Sequence, residues 1–132
     1  SQNKNITRVA ILEAARPLVT GRQIEEIMQC NCPSCTYVQP LVNTIIGKNG
    51  VYLNREDWLA MTSPNAFEFS AIKEAYNNPK FQDLTDDTRI MFEQYGIKPH
   101  FHEGGDNLFK VTYSKDISVL ENIWKEIESC NR

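Results

Sequence analysis

The chain has no hydrophobic run long enough to cross a membrane. A bilayer-spanning helix needs about 20 consecutive apolar residues, and no stretch of the 132-residue sequence approaches that length. The first five residues, SQNKN, also lack the basic-then-apolar pattern of a secretory signal. We therefore expect no membrane partner and a cytoplasmic location.

A surplus of positive charge is also missing. The formal net charge is -3, with six basic and five acidic residues in 1–60 and eight basic and twelve acidic residues in 61–132. Nucleic-acid-binding proteins usually carry a basic face, because neutralising phosphates supplies most of their affinity. Any nucleic-acid binding must therefore depend on a few cations in the first half of the chain.

Low-complexity tracts and internal repeats do not occur either. A length of 132 residues with 41% hydrophobic and 23% charged residues is typical of one globular domain with its own core. We expect a single domain over 1–132, with a core at 6–61 that is completed by 62–132.

No motif of an enzyme active site stands out. The sequence has no Ser-His-Asp set and no paired-carboxylate motif, and a hairpin turn explains Gly104 and Gly105. The acidic cluster of Asp83, Asp86 and Asp87 is typical of a helix N-terminus, which attracts carboxylates. We expect a protein that is not an enzyme.

Four cysteines are present, and three of them lie within six residues. Cys30, Cys32 and Cys35 form the cluster, whereas Cys130 lies near the end. This distribution is a poor disulfide framework, and it fits reduced thiols or a metal site better. Three cysteines supply at most three of the four ligands of a structural zinc. The fourth could come from Cys130, His100 or His102, so zinc is the alternative to our expectation of no cofactor.

The segment Cys32-Pro33-Ser34-Cys35 resembles the CPxC dithiol of glutaredoxin-like proteins. In that family a strand comes immediately before the motif, and a helix dipole activates the first thiol. Residues 22–29 instead have apolar positions at helical spacing. A dithiol redox protein is thus the least favoured of three functions.

Apolar periodicity and capping residues predict a mostly helical chain. Thr20 and Gln23 form a capping-box pattern before one helix, and Gly96 ends another. The predicted helices are 5–16, 21–29, 36–46, 55–61, 66–76, 86–95 and 116–129, with a short strand at 51–53 and a β-hairpin over 97–113.

The helix predicted over 36–46 has the apolar stripe of a helix packed on a core. Its positions at i, i+3, i+4, i+7 and i+8 are Val38, Leu41, Val42, Ile45 and Ile46. Residues 6–53 resemble the winged helix-turn-helix superfamily, in which a third helix ends at a glycine-bearing turn and a wing strand follows. The resemblance implies an α+β fold, mostly helical, with a winged-helix-like N-terminal core, a small antiparallel sheet and a C-terminal helix.

A winged helix implies DNA binding by its third helix. Four polar residues off the apolar stripe could then reach base edges or phosphates, and three cations could contact the DNA backbone. The first set is Thr36, Tyr37, Gln39 and Asn43, and the second is Arg22, Lys48 and Arg55. We therefore expect a regulator of transcription that binds duplex DNA. The alternative is a protein-binding winged helix, an inhibitor or adaptor that uses its acidic second half.

The last predicted helix carries Ile117, Leu120, Ile123, Trp124 and Ile127 on one side. This stripe can pack onto its own domain. It can also pair with a second copy, as a small DNA-binding domain needs for two half-sites. A homodimer through 116–129 is accordingly an expected partner arrangement.

Overall fold

The computed structural model describes residues 6–81 and 83–131. In chain order its strands and helices are β1 (Arg8–Ile11), α1 (Gly21–Gln29), β2 (Ser34–Pro40), β3 (Ile45–Ile46), β4 (Tyr52–Leu53), β5 (Leu59–Glu68), α2 (Phe69–Tyr76), α3 (Asp87–Tyr95), β6 (His100–Glu103) and α4 (Asp116–Cys130). Single-turn 3-10 helices lie at Arg55–Asp57, Pro79–Phe81 and Asp106–Leu108.

A four-stranded mixed sheet forms the centre of the fold. Its strand order is β1-β5-β2-β6, and β5 is antiparallel to both of its neighbours. The edge strand β6 runs parallel to β2. Strands β3 and β4 form a separate two-stranded ribbon.

Helices cover both faces of this sheet. Ala66 and Phe67 are neighbours on β5, so their side chains point to opposite faces. Ala66 packs in one buried cluster with Ile27 of α1, Cys35, Tyr37 and Leu108. Phe67 packs in the other with Ile72 and Ala75 of α2 and Ile90 and Met91 of α3. Because both faces are buried, the central strands show no alternation of buried and exposed residues.

The helix expected at 36–46 is wrong, because this segment contains strand β2 and a following loop. Five consecutive residues of β2, Ser34–Val38, are buried between β5 and β6. β-Branched and aromatic side chains such as those of Thr36, Tyr37 and Val38 fit a pleated sheet. The helical spacing of the apolar residues in this segment therefore did not indicate a helix. These residues are Val38, Leu41, Val42, Ile45 and Ile46.

The winged-helix fold is wrong as well, because several of the helices and the hairpin that it requires are absent from the described residues. The helix expected at 5–16 is replaced by β1 and a turn, with Asn5 outside the described residues. The hairpin expected at 97–113 is replaced by the single strand β6, which pairs with β2 and is followed by a 3-10 turn. The helix expected at 55–61 is reduced to the 3-10 turn at Arg55–Asp57. Strand β5 takes up all of Leu59–Glu68, so the helix expected at 66–76 begins only at Phe69. The mostly helical α+β class therefore gives way to an α/β fold around a mixed sheet.

Several local predictions are confirmed. Helix α1 begins at the expected capping box, in which Thr20 and Gln23 bond each other's backbone. Helix α3 ends at Gly96, whose φ of 69° lies in the left-handed region. The strand near Tyr52 and the last helix also form where expected. A single domain over 1–132 stays a prediction. Among the described residues, no helix is long and apolar enough to cross a membrane.

Candidate functional site

A cleft of about 420 Å³ opens beside the carboxyl end of β1. It collects charged and polar side chains from four separate segments of the chain. The lining residues are Ile11, Leu12, Glu13, Arg16, Met61, Thr62, Ser63, Asn65, Thr85, Asp86, Asp87 and Lys110.

One carboxylate joins the two cations of the cleft. Glu13 Oε2 accepts a hydrogen bond from Arg16 Nε at 2.9 Å, and Glu13 Oε1 lies 2.5 Å from Lys110 Nζ. Ser63 Oγ donates to Glu13 Oε2 at 3.3 Å. The carboxylate therefore fixes both cations at one wall of the cleft.

Backbone contacts hold this wall together. The turn after β1 is closed by the Arg16 N–H, which donates to the Glu13 carbonyl at 2.9 Å. The Val111 N–H donates to the Ala15 carbonyl at 2.8 Å, and Arg16 Nη1 donates to the Leu108 carbonyl at 2.5 Å. These bonds join two segments that are distant in sequence, and they place Lys110 opposite Glu13.

The Glu13 carboxyl is held in its charged form. The hydrogen bond from Lys110 lowers its pKa below the ordinary value, and Arg16 acts in the same direction against partial burial. At neutral pH, Glu13 is therefore negatively charged and forms ion pairs with Arg16 and Lys110. Lys110 keeps half of its side chain exposed, at 47%, and it has further N–H groups to donate.

Two carboxylates lie at the start of α3. Asp86 is the N-cap: its Oδ1 accepts from the Arg89 N–H at 2.9 Å and from Thr88 Oγ1 at 2.5 Å. Asp87 accepts a hydrogen bond from the Tyr76 hydroxyl. Burial raises the pKa of Asp87. The cleft thus offers two cations that can bind a phosphate and carboxylates that can accept hydrogen bonds from hydroxyl groups.

The residues expected to touch DNA do not line this cleft, and two of them are buried. Thr36 donates from its hydroxyl to Asn65 Oδ1 at 2.6 Å. Tyr37 is 1% exposed, and its hydroxyl donates to Glu26 Oε2 at 2.9 Å. Burial, with the Glu26 hydrogen bond, raises the pKa of Tyr37. Neither side chain can reach a groove of DNA.

The other expected DNA contacts are scattered. Gln39 donates to the Gly105 carbonyl at 2.8 Å, and Arg55 donates to the Val42 carbonyl at 2.5 Å. Asn43 and Lys48 are exposed in loops around the β3–β4 ribbon, whereas Arg22 is exposed on α1. The seven residues do not form the expected recognition surface, because Thr36 and Tyr37 are buried and no helix spans 36–46.

The three clustered cysteines do not converge as metal ligands. Cys30 and Cys35 are joined by a disulfide, and Cys32 is a separate free thiol. Cys130 is a second free thiol, exposed on α4. Cys30 does lie close to His100 and His102, with one ligand atom of each residue within 4.8 Å of the others.

The sequence patterns did not single out Glu13, Arg16 or Lys110, and they explained Asp86 and Asp87 only as a helix start. Glu13 and Arg16 follow an apolar strand, Val9 to Ile11, and precede Pro17. In open α/β sheets, ligands bind beyond the carboxyl ends of strands, so a Glu-Arg pair at that position was the available signal. The helical assignment of 5–16 concealed it. Lys110 gave no local signal, because only the folded chain brings it to Glu13.

Solved structures share the fold of this chain. The cytidylyltransferase of Thermus thermophilus superposes with a TM-score of 0.79 at 21% identity, covering 90% of this chain and 62% of that one. A 4-diphosphocytidyl-2C-methyl-D-erythritol synthase from Anaerococcus prevotii gives 0.78 at 18% identity, covering 93% and 61%. The fold is therefore the α/β fold of these two structures, a mixed sheet with helices on both faces.

Sequence comparison defines the family. The family model described as IspD, 2-C-methyl-D-erythritol 4-phosphate cytidylyltransferase, matches residues 1–126, and the chain belongs to this family. The cytidylyltransferases of Clostridium kluyveri and Alkaliphilus oremlandii are 30% and 32% identical over 92% and 89% of this chain. The chain spans 56% and 53% of those two relatives, about half of their length.

Membership of an enzyme family overturns the expected function. The DNA-binding regulator, the protein-binding winged helix and the CPxC redox protein are all wrong. The expectation that the protein is not an enzyme is wrong as well, because the members of its family are enzymes. Duplex DNA is wrong as the partner. A homodimer through 116–129 stays unconfirmed.

Proposed function

We propose that this chain carries the sugar-phosphate site of a 2-C-methyl-D-erythritol 4-phosphate cytidylyltransferase, and that the cleft at Glu13, Arg16 and Lys110 is that site. The observation that carries the proposal is the double ion pair of Glu13, which fixes two cations at the wall of one cleft. Family membership supplies the reaction.

The names of the relatives define the chemistry. The substrate carries one phosphate and the product is a diphosphocytidyl compound, so a new phosphate–phosphate link forms. With CTP as donor, a phosphate oxygen of the substrate bonds to the α-phosphorus. The bond from that phosphorus to the oxygen bridging to the β-phosphate breaks, and pyrophosphate leaves.

Lys110 and Arg16 would bind and orient the attacking phosphate. Two phosphates that approach each other repel, and fixed cations offset that repulsion and stabilise charge in the transition state. Glu13 holds both cations before the substrate arrives, so little reorganisation is needed. In this arrangement Lys110 supplies a mobile point charge, whereas Arg16 is fixed by its bond to the Leu108 carbonyl.

The opposite wall would bind the polyol. Asp86 and Asp87 can accept hydrogen bonds from hydroxyl groups of the substrate. Asp86 keeps its N-cap role through one oxygen, Oδ1, which leaves Oδ2 for a ligand. The cytoplasmic location stays part of this proposal.

The test is a comparison of two lysines. Calorimetric titration with 2-C-methyl-D-erythritol 4-phosphate should show binding that Lys110→Met weakens by about 10- to 100-fold, because a hydrogen bond to a charged group contributes about 1.5–3 kcal/mol. Lys48→Met is the matched control, since Lys48 is exposed in a turn outside the cleft. Circular dichroism establishes that both variants fold.

Two results would contradict the proposal. Equal affinity of the wild type and Lys110→Met would remove the cleft from the phosphate site. An equal loss in Lys48→Met would show that the effect is general electrostatics and not a contact at the cleft.

A further inference from the structure

Three side chains that the cytidylyltransferase chemistry does not use converge at the end of α1. They are Cys30, directly after the helix, and His100 and His102 on β6. One potential ligand atom of each lies within 4.8 Å of the others. Thiolate and imidazole are the ligands that Zn²⁺ prefers in proteins.

The sheet register explains why the two imidazoles meet. His100 and His102 are two residues apart on a strand, so their side chains leave from the same face. β6 pairs in parallel with β2, which puts His100 beside Cys35 and His102 beside Tyr37. The two imidazole centroids are 5.0 Å apart. This is the face that α1 covers, since Tyr37 packs with Ile27 of that helix.

The two ring nitrogens of His102 have the surroundings expected for a zinc-bound histidine. Its Nε2 is buried and has no partner among the described residues, a costly state for a polar atom. Its Nδ1 lies 3.6 Å from Glu26 Oε1. Zinc-bound histidines usually present their second ring nitrogen to a carboxylate, which fixes the tautomer and orients the ring.

We propose that Cys30, His100 and His102 form a zinc site that joins the end of α1 to the edge strand β6. Tetrahedral Zn²⁺ places its ligand atoms about 3.3–3.8 Å apart, given bond lengths of about 2.0–2.3 Å. The three side chains therefore need to close by roughly 1 Å around the ion. The fourth position is left for water or another ligand.

The disulfide makes this site dependent on thiol redox state. Cys30 is bonded to Cys35 and cannot ligate zinc in that form. Two thiols of a reductant become one disulfide, and the bond between Cys30 and Cys35 is reduced to two thiols. Cys30 then releases its proton and binds Zn²⁺ as the thiolate. Arg8 Nη2 donates to Cys35 Sγ at 3.0 Å, which holds that sulfur in place while Cys30 turns to the histidines.

Cobalt titration tests the site, because thiolate-bound Co²⁺ has a charge-transfer absorption band that oxygen-bound Co²⁺ lacks. The protein reduced with a phosphine should bind one Co²⁺ with this band, and Zn²⁺ should displace it. The oxidised protein should not show the band. Cys35→Ser frees Cys30 permanently, so this variant should bind Co²⁺ with the band in the absence of reductant.

Matched variants separate the three ligands from their neighbours. Cys30→Ser should lose the band, and His100→Ala, at an exposed position, should weaken binding at least about tenfold. Glu26→Gln should weaken it by about 10- to 100-fold through His102. Cys32→Ser and Cys130→Ser should leave binding unchanged. Absence of the band in the reduced wild type, its persistence in Cys30→Ser or its loss in Cys32→Ser would each overturn the proposal.

Discussion

Glu13 contacts both cations of the cleft, and its negative charge offsets the repulsion between them. Its carboxylate contacts Lys110 and Arg16, and 32% of its side chain remains exposed. Partial exposure limits the stabilisation from these ion pairs to about 1 kcal/mol. Their larger effect is geometric, since without the carboxylate the two cations would repel each other.

Because the pKa of Glu13 is lowered, the stabilisation of the fold by its ion pairs should decrease in acid. The ordinary pKa is 4.5 and the folded value lies below it, so the stabilisation is complete above 4.5 and is lost as pH falls through the folded value. Glu13→Gln should therefore reduce the free energy of unfolding by about 1 kcal/mol at neutral pH and by little in acid. Urea unfolding at both pH values measures this.

The exposed Glu25 of α1 supplies the control. Glu25→Gln should change the free energy of unfolding by less than about 0.5 kcal/mol at either pH. If Glu13→Gln and the control lose stability equally, or if the Glu13→Gln effect persists in acid, the ion pairs do not stabilise the fold.

Helix ends could be predicted from sequence because their signals are local. Thr20 and Gln23 satisfy each other's backbone within one turn, and the Asp86 carboxylate accepts from the Arg89 N–H at the start of α3. These contacts need no distant partner. The same locality explains why α1, α3 and α4 form where the sequence predicts them.

The glycine that ends α3 can be tested alone. Gly96 has a φ of 69°, where a side chain costs about 1–2 kcal/mol. Gly96→Ala should lower the free energy of unfolding by that amount in urea titration. Gly21→Ala is the control, since its Cβ would meet no atom within 4 Å and its φ is not positive. A loss in the control that equals the loss in Gly96→Ala would exclude backbone strain as the cause.

Strands β1, β2 and β5 were not predicted, because the signal that distinguishes them from helices is not local. Residues 34–38 are buried on both faces of the sheet, so they show no alternation that distinguishes a strand from a buried helix. The partners of β2 are β5 and β6, both remote in sequence. Only those partners decide that Thr36 and Tyr37 enter the core and do not face solvent.

Apart from the Glu-Arg pair after β1, the cleft could not be predicted from the sequence, for a related reason. Its residues come from the turn after β1, the middle of β5, the start of α3 and the segment after the last 3-10 turn. The β5 segment contributes uncharged side chains, and the other three segments contain charges with ordinary local explanations, such as capping by Asp86. The chemistry arises only when the sheet brings Glu13 and Lys110 into contact. The positions of Glu13 and Lys110 in the sequence do not reveal that their side chains are in contact.

Because the cleft is assembled from four segments, a ligand that binds it should stabilise the whole folded chain. This prediction depends on the proposed function. A ligand that binds only the assembled cleft stabilises the folded chain by RT ln(1 + [L]/Kd), about 2.7 kcal/mol at one hundred times Kd. 2-C-Methyl-D-erythritol 4-phosphate should therefore raise the urea midpoint of the wild type. At the same concentration it should have a much smaller effect on Lys110→Met, in which the phosphate loses a cation.

The unphosphorylated tetrol, 2-C-methyl-D-erythritol, separates the two walls of the cleft. It can contact Asp86 and Asp87 but offers nothing to Arg16 or Lys110, so it should stabilise the chain far less than the phosphate ester does. Inorganic phosphate should show the converse, weak binding that depends on Lys110. Equal stabilisation by the tetrol and the ester would show that the cations do not hold the phosphate, because the ester's added charge would then contribute nothing.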